Sequence, residues 1–378
     1  MSKDKFKLNT IESAINDIRK GKIVIVVDDK NRENEGDFLA AAELITPEII
    51  NFMATHGRGL ICAPITENIS KKLGLNLMVG TNTDPQDTAF TVSIDLKGNG
   101  VTSGISAIDR SKTIQALVDN KTNPENLLRP GHIFPLSAKD GGVLRRTGHT
   151  EAAVDIARLS GFKPAGVICE IMNEDGTMAR LPELFKVAEK FNLKIISIED
   201  LVSFRMHNDS LIELIDVFEI KTIYGEFILN TFKQKNNNKV HLALTKGKWK
   251  KDDSVLCRVN SLGSINNNID DLILREDSVL KRITNHIKNE KKGVIVFVNQ
   301  DHETNPIINR INHIKKTQIE GNNHIPYKKM DVKDFGIGAQ ILHKLNITKI
   351  KLLTTKDRKI KRVGMGGYGL EIVKTVKF

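Results

Sequence analysis

Helical spacing and short apolar runs alternate along the first half of the chain, and this alternation limits the fold class more than any other feature. Apolar residues at helical spacing from Ile11 to Ile18 precede a β-branched run at 23–27, a pattern typical of a helix followed by a buried strand. Further helices are predicted at 47–56, after Thr150 as N-cap to about 161, from Leu181-Pro182 onward and at 199–206, and strands at 38–42, 60–63, 90–95, 165–171 and 194–198. The pattern predicts a mixed-sheet α/β domain over residues 1–206.

The second half begins with strand patterns, and 378 residues suffice for two domains. Stretches at 218–233, 240–244 and 255–259 predict an antiparallel meander. Helices are predicted at 270–288 and 335–345, strands at 293–298 and 349–354, and loops at the Asn-rich stretches 236–238 and 266–268. Residues 207–378 are therefore expected to form a separate α+β domain.

Charge divides unevenly between the two predicted domains. Residues 1–206 hold 26 basic against 27 acidic residues, and residues 207–378 hold 31 against 19. The basic half lacks aromatic residues interleaved as stacking platforms and any recognisable nucleic-acid motif. We therefore expect no nucleic-acid partner, while phosphate groups or an acidic protein surface stay open as partners.

Short apolar runs and few cysteines argue against a membrane protein, a secreted protein and a protein held together by disulfides or a cysteine-rich zinc site. The early run at 23–27 is too short for a membrane span or a signal peptide, so the predicted location is the cytoplasm with no membrane partner. The three cysteines, Cys62, Cys169 and Cys257, lie far apart without a CxxC pair. Neither a disulfide framework nor a cysteine-rich zinc site is predicted.

The acidic segment 28–37, Asp-Asp-Lys-Asn-Arg-Glu-Asn-Glu-Gly-Asp, is the densest group of charges and follows a predicted strand. Loops at strand ends are where α/β folds place ligand sites. Carboxylates in this position suit a hard cation such as Mg²⁺, which takes one or two protein carboxylates and keeps several waters. A solvated acidic turn explains the segment equally well, so the residues alone leave both interpretations open.

A second charged segment, 145–151, leads directly into a predicted helix. Backbone N–H groups at a helix N-terminus attract anions, Gly148 permits close approach of the backbone, and Arg146 adds a planar pair of donors. A phosphate site and a plain helix cap with surface arginines both fit. His132, between two prolines, and Glu170, at the end of a strand, are either structural residues or general acids and bases.

Eight ordered segments together resemble 3,4-dihydroxy-2-butanone 4-phosphate synthase across residues 8–205. They read DDKNRENEGD, HGRGLICAPIT, DTAFTVSID, GVTSGISAIDR, RPGHIFPL, GGVLRRTGHTEA, GFKPAGVICEIMNEDGTMAR and SIEDLV. The resemblance implies conversion of ribulose 5-phosphate into the four-carbon product and formate through a metal-stabilised enediolate. It also implies a homodimer with sites near the interface.

The same resemblance implies roles for particular residues. Two Mg²⁺ or Mn²⁺ ions per site would be held by Glu33 and His149. Substrate contacts carry over to Arg32, Glu33, Asp37, Arg146, Thr147, Gly148, His149, Thr150 and Glu170. The expected acids and bases are His132, Glu170 and Asp37, and their division of labour is a hypothesis. Independently of the resemblance, the polar run at 80–87 predicts either a lid over the substrate or a rigid surface loop.

Residues from about 209 onward resemble GTP cyclohydrolase II in the segments HLALTKG, VLCRVNS, DFGIGAQILHKLNITKIKLLTT and GYGLEIV. That family holds zinc with three cysteines, whereas this half has only Cys257, and the stretch 259–277 offers no thiolate. The family's arginine-bearing glycine loop is replaced at 298–305, and its nucleotide-facing segment differs at 354–359. We expect no zinc and no cyclohydrolase activity.

Several alternatives remain at this stage. The second domain is expected to serve as a structural or oligomerisation partner, or as a regulator that binds a nucleotide. A bifunctional enzyme that also hydrolyses GTP is the alternative for the whole chain. A different metal-dependent sugar-phosphate isomerase or aldolase would use a similar site, and formate as a product distinguishes the synthase from it.

Overall fold

The computed structural model describes residues 7–30, 32–235, 239–262, 278–299, 335–354 and 365–378. The chain divides into two compact units, Met1–Asn208 with Lys361–Gly367 and Asp209–Ile360 with Tyr368–Phe378; the predicted boundary lies two residues before this division. Within the described residues each unit contains a seven-stranded mixed sheet. The prediction of a mixed-sheet α/β domain followed by a second domain of strands and helices is confirmed. None of the described helices is long and apolar enough to span a bilayer.

The first unit alternates helices and strands. Its strands are β1 (Val24–Val27), β2 (Gly36–Ala41), β3 (Cys62–Thr66), β4 (Ile94–Leu96), β5 (Leu127–Ala138), β6 (Gly166–Glu170) and β7 (Lys194–Ser197). Its helices are α1 (Ile11–Arg19), α2 (Pro47–His56), α3 (Glu67–Lys72), α4 (Ala107–Val118), α5 (His149–Leu159), α6 (Leu181–Phe191) and α7 (Ile198–Asn208). The sheet order is β4-β5-β3-β6-β2-β1-β7.

Helices cover both faces of this sheet. α1, α5 and α7 pack against one another on one face, while α2, α4 and α6 contribute to the main apolar core on the other. β1 is buried along its whole length because both of its faces are covered, and this explains its continuous apolar run. The polar residues of the candidate site lie on the α5 side of the sheet.

Helix starts were predicted with mixed success. Thr46 caps α2 as expected, its hydroxyl accepting a hydrogen bond from the Ile49 N–H at 3.3 Å, and Pro47 is the first helical residue. The prediction that Thr150 caps α5 is wrong. Gly148 takes the extended backbone conformation of an N-cap, so the helix begins at His149 and Thr150 lies within its first turn. Glycine has no side chain that could accept a hydrogen bond from the first N–H groups, so this cap residue does not occupy them.

The sheet of the second unit combines antiparallel and parallel strands. Its strands are β8 (Ile212–Thr222), β9 (Gly225–Gln234), β10 (Val240–Lys246), β11 (Ser254–Leu262), β12 (Gly293–Asn299), β13 (Lys349–Thr354) and β14 (Glu371–Lys377), and its described helices are α8 (Ser278–Glu290) and α9 (Phe335–Lys344). The sheet order is β14-β13-β11-β12-β10-β9-β8. The predicted stretch 218–233 is a hairpin of β8 and β9, and the Asn-rich stretches lie outside the described residues.

The predicted antiparallel meander extends only over β8, β9 and β10. β11 pairs in parallel with β12 and β13, so its inclusion in the meander was wrong. Parallel neighbours need a crossover connection, and α8 lies between β11 and β12 along the chain. The predicted helix at 270–288 is described from Ser278 onward, and 270–277 lies outside the described residues.

Candidate active site

The loop between β1 and β2 is organised by the buried carboxylate of Asp28. Its Oδ2 accepts hydrogen bonds from the Glu33 N–H at 3.1 Å and from Arg32 Nη1 at 3.0 Å, and its Oδ1 accepts one from the Glu35 N–H at 2.9 Å. From the start of α6, Arg180 donates to the Glu33 carbonyl oxygen at 2.9 Å. The Arg32 guanidinium also donates to the Glu33 carboxylate at 2.5 Å. These contacts fix the backbone of an acidic loop whose carboxylates would otherwise repel one another.

Glu33 and Asp37 both lie beside His149, the first residue of α5. Glu33 Oε2 is 3.7 Å from His149 Nδ1, and Asp37 Oδ1 is 3.9 Å from His149 Nε2. One ligand atom each from Asp28, Glu33 and His149 lie within 4.8 Å of one another. Carboxylate oxygens with one imidazole nitrogen are a donor set that fits a divalent cation such as Mg²⁺ or Mn²⁺.

Burial and neighbouring charges of opposite sign shift the pKa values of Asp37, Glu33 and His149 in opposite directions. Burial raises the pKa of Asp37 to about 7, and the nearby carboxylates of Glu170 and Glu33 add to this while His149 opposes it. Burial alone would lower the pKa of His149, but Asp37 and the hydrogen bond to Glu33 raise it to about 9. Burial likewise opposes ionisation of Glu33, yet His149 and Arg32 lower its pKa. The cluster therefore concentrates negative charge around His149.

The segment 142–149 brings Arg146 and the start of α5 beside this cluster. Arg146 is buried, and its Nη1 donates to Glu151 Oε2 at 2.7 Å while its Nη2 donates to the Gln86 carbonyl oxygen at 3.1 Å. Burial opposes the charge of this guanidinium, but Glu151 raises its pKa. A Cβ at Gly148 would lie 2.4 Å from Arg146 Nη1, so a larger residue there would displace the Arg146 guanidinium. Thr147 is half-buried and Thr150 is buried.

Glu170 lies next to Asp37 across the sheet. The two residues are direct partners in the antiparallel pairing of β2 with β6, so their side chains emerge on the same face. Glu170 Oε2 accepts a hydrogen bond from the Leu60 N–H at 2.9 Å. The structure therefore brings Glu170 together with Asp37, Glu33 and His149.

His132 is not part of this cluster within one chain. His132 lies on β5 and Glu170 on β6, the two strands that flank β3 in the sheet. Cys62 of β3 pairs with Phe134 of β5 and Ile168 of β6, and His132 and Glu170 each lie two residues from those partners, level with each other along the strands. Three strand spacings therefore separate His132 from Asp37, roughly 14 Å. The His132 side chain is 43% exposed, and its Nδ1 lies 2.7 Å from Asp95 Oδ2.

Three residues that position the predicted site residues received no individual role from the sequence. Asp28 organises the acidic loop, Glu151 holds Arg146, and Asp95 orients His132 through its ring nitrogen and its backbone N–H. Asp28 directly follows a buried strand, and Glu151 follows the arginine pair in the first turn of a helix. Asp95 had only the alternation of its strand as a signal, and that pattern does not distinguish it from an exposed strand carboxylate.

Comparison with known proteins identifies the two domains. The family model of 3,4-dihydroxy-2-butanone 4-phosphate synthase matches residues 12–204, and that of GTP cyclohydrolase II matches residues 213–377. The riboflavin biosynthesis protein RibBA of Cytophaga hutchinsonii is 52% identical over 99% of this chain and 93% of its own. Its namesake from Aquifex aeolicus is 46% identical, with coverage of 99% and 93%.

Two solved structures agree with these matches. RibBX, a two-domain 3,4-dihydroxy-2-butanone 4-phosphate synthase from A. baumannii, is 37% identical with a TM-score of 0.65, covering 98% of this chain and 99% of that one. A 3,4-dihydroxy-2-butanone 4-phosphate synthase in complex with two magnesium ions is 40% identical with a TM-score of 0.51, covering 53% and 98%.

The fold, the acidic cluster and these relatives define an enzyme of riboflavin biosynthesis. The chain belongs to the 3,4-dihydroxy-2-butanone 4-phosphate synthase family, in the form that carries a GTP cyclohydrolase II-like second domain.

Proposed function

We propose that the first domain converts ribulose 5-phosphate into 3,4-dihydroxy-2-butanone 4-phosphate and formate. The observation that carries this proposal is the meeting of Glu33 and His149 beside Asp28 at the N-terminus of α5. The relative in complex with two magnesium ions supports the use of divalent ions by this domain, and we propose two Mg²⁺ ions per site with Mn²⁺ as the alternative. Ions held by Glu33 and His149 would supply a Lewis acid for neighbouring sugar oxygens.

The protein's own groups then bind the phosphate and move protons. The first N–H groups of α5, together with Thr147, Gly148, Thr150 and Arg146, would receive the phosphate group. Arg32 would contact the sugar from the acidic loop. Asp37, whose pKa is raised to about 7, is suited to exchange protons near neutral pH, and Glu170 beside it is the second candidate. His132 is the third.

We expect metal binding to release a proton from His149. The imidazole is protonated below its pKa of about 9, whereas a metal ligand must be neutral. Raising the pH toward 9 therefore removes the competing proton, and apparent Mg²⁺ or Mn²⁺ affinity should rise by up to about tenfold per pH unit. Titration calorimetry in two buffers of different ionisation enthalpy measures the proton directly. A binding heat independent of the buffer would contradict this assignment.

The position of His132 supports a homodimer in which one chain completes the site of the other. His132 is too far from Asp37 to act with it in one chain, and its side chain is partly exposed. The same edge of the sheet exposes large apolar side chains, namely Leu77, Met78, Val79, Ile105, Ile108 and Leu128. An apolar edge of this kind suits an interface between two copies.

Mixing two inactive variants tests this arrangement. Glu33→Gln and His132→Ala should each be inactive alone, and subunit exchange should restore about a quarter of wild-type activity, because half the dimers are mixed and each has one intact site. Formate release after co-refolding, with each variant alone as control, is the measurement. No recovery in proven mixed dimers would mean that Glu33 and His132 act within one chain.

We further propose that the second domain lacks GTP cyclohydrolase activity and zinc. Its one cysteine, Cys257, is fully buried in β11, and burial raises the pKa of its thiol, so it does not suit a zinc thiolate. RibBX, which matches both domains, is described as a two-domain 3,4-dihydroxy-2-butanone 4-phosphate synthase. Most of the segments in which the chain departs from the family's zinc and nucleotide contacts, namely 263–277, 300–305 and 355–359, lie outside the described residues.

Alternatives remain for each domain. The second domain serves a structural role or binds a regulatory nucleotide, and both stay predictions. For the first domain, a metal-dependent isomerase or aldolase would use the same cluster but release no formate. Formate measured from ribulose 5-phosphate with Mg²⁺ distinguishes the synthase from either. The cytoplasm remains the predicted location.

A further inference from the structure

The segment 141–148, which carries the proposed phosphate contacts, is held from behind by a buried ion pair. Asp155 of α5 accepts the Val143 N–H at 2.8 Å through Oδ2. Arg205 of α7 donates from Nη1 to the same Oδ2 at 2.8 Å and to the Gly141 carbonyl oxygen at 2.7 Å. One guanidinium thus joins the last helix of the first unit to α5 and to the loop before it.

The packing around this pair leaves little freedom. The side chains of Arg205 and Asp155 are 6% and 4% exposed. Gly142 has a φ of +60°, and a Cβ there would lie 2.3 Å from the Asp155 carboxylate oxygens. The backbone of the loop therefore lies directly against the ion pair, in a conformation that glycine adopts readily.

Each partner depends on the other. Burial raises the pKa of Asp155, and the charge of Arg205 opposes that shift. Removing one partner of a buried pair leaves the other charge uncompensated, so the hydrogen bonds to Gly141 and Val143 would weaken together. Arg205 lies one residue beyond the part of the chain that the synthase family model matches, which ends at residue 204.

We propose that Arg205 is a positioning residue for the phosphate site, acting through Asp155 and the backbone of residues 141–148. It does not belong to the cluster of Asp28, Glu33 and His149. Its loss should weaken recognition of the phosphate group while leaving the metal ligands in place. This inference rests on the proposed function, because it assumes that the start of α5 binds the substrate phosphate.

The test compares Arg205→Ala and Arg205→Lys with the wild-type enzyme in the full chain. Arg205→Ala should raise the KM for ribulose 5-phosphate and the inhibition constant of inorganic phosphate by about tenfold each. The kcat and the Mg²⁺ concentration for half-maximal activity should change far less. Arg205→Lys keeps the charge but not the planar donors, so it should shift KM in the same direction by less. It carries the test if the alanine variant fails to fold.

Arg158→Ala is the matched control. Arg158 also faces Asp155, at 3.9 Å from Oδ1, but its side chain is 43% exposed, so solvent screens its charge far more than that of the buried Arg205. Its removal takes away one positive charge beside Asp155 but leaves the Arg205 donor to Gly141 in place, and KM should stay near the wild-type value.

Hydrogen exchange supplies a measurement independent of activity. Amides of residues 141–148 should exchange faster in Arg205→Ala than in Arg158→Ala, because only the first variant loses the donor to Gly141. An unchanged KM, phosphate inhibition and exchange in a folded Arg205 variant overturns the positioning role. A wild-type enzyme that releases no formate from ribulose 5-phosphate overturns the proposed function instead, and the exchange result still tests the contact.

Discussion

Replacing Glu33 by glutamine should lower formate release from ribulose 5-phosphate by about a hundredfold or more, even in excess Mg²⁺. The substitution keeps the size of the side chain but removes the negative charge that lies 3.7 Å from His149. A neutral amide is a weak ligand for a hard cation. Titration with Mn²⁺ should show reduced metal affinity in parallel with the reduced rate.

The control for this variant is Glu174→Gln, which makes the same chemical change at a side chain that is 95% exposed. Its activity and metal affinity should match those of the wild type. A Glu33→Gln enzyme that releases formate near the wild-type rate in excess Mg²⁺ would falsify the metal assignment. Equal melting temperatures of the two variants would show that the loss does not come from unfolding.

Incubation with GTP and Zn²⁺ should produce no formate above a blank without enzyme. A catalytic zinc site needs three protein ligands with an open position, and residues 207–378 contain a single cysteine, which is buried in β11. Purified protein should accordingly carry zinc far below one equivalent per chain by elemental analysis.

The same preparation supplies its own positive control. Ribulose 5-phosphate and Mg²⁺ should yield formate from the enzyme that is inert toward GTP, so a negative result with GTP does not come from a wholly denatured preparation or a failed formate assay. Formate from GTP that is lost on treatment with a zinc chelator would show that the second domain hydrolyses GTP with ligands other than a cysteine triad. Stoichiometric zinc in the purified protein would contradict the prediction that the second domain holds no zinc.

Local features of the chain predicted local structure well. The Thr46-Pro47 pair marked the start of α2 because a hydroxyl cap and a proline at the first helical position act within one turn. The run at 23–27 predicted β1 because a short stretch of β-branched apolar residues favours a buried strand whatever its distant neighbours are. The start of α5 was misplaced because the cap is Gly148, whose backbone conformation, and not a side chain, begins the helix.

Pairings between distant segments were harder to predict. The parallel position of β11 depends on a crossover through α8, and no property of its own residues distinguishes it from a strand of a meander. Asp95 and Arg205 were missed because their contacts, to His132 and to Asp155, are made by side chains far away in the chain.

The sequence by itself determined the two-domain order, most helices and strands of the first domain, and the resemblance from which Glu33 and His149 were chosen as a pair. Only the tertiary structure decided which groups meet: the adjacency of Asp37 and Glu170, the separation of His132 from them, and the Asp155–Arg205 pair behind the phosphate segment. The physical reason is the distance along the chain over which each kind of interaction acts. Caps, turns and apolar periodicity act over a few residues, whereas strand order and register place side chains that no local pattern connects.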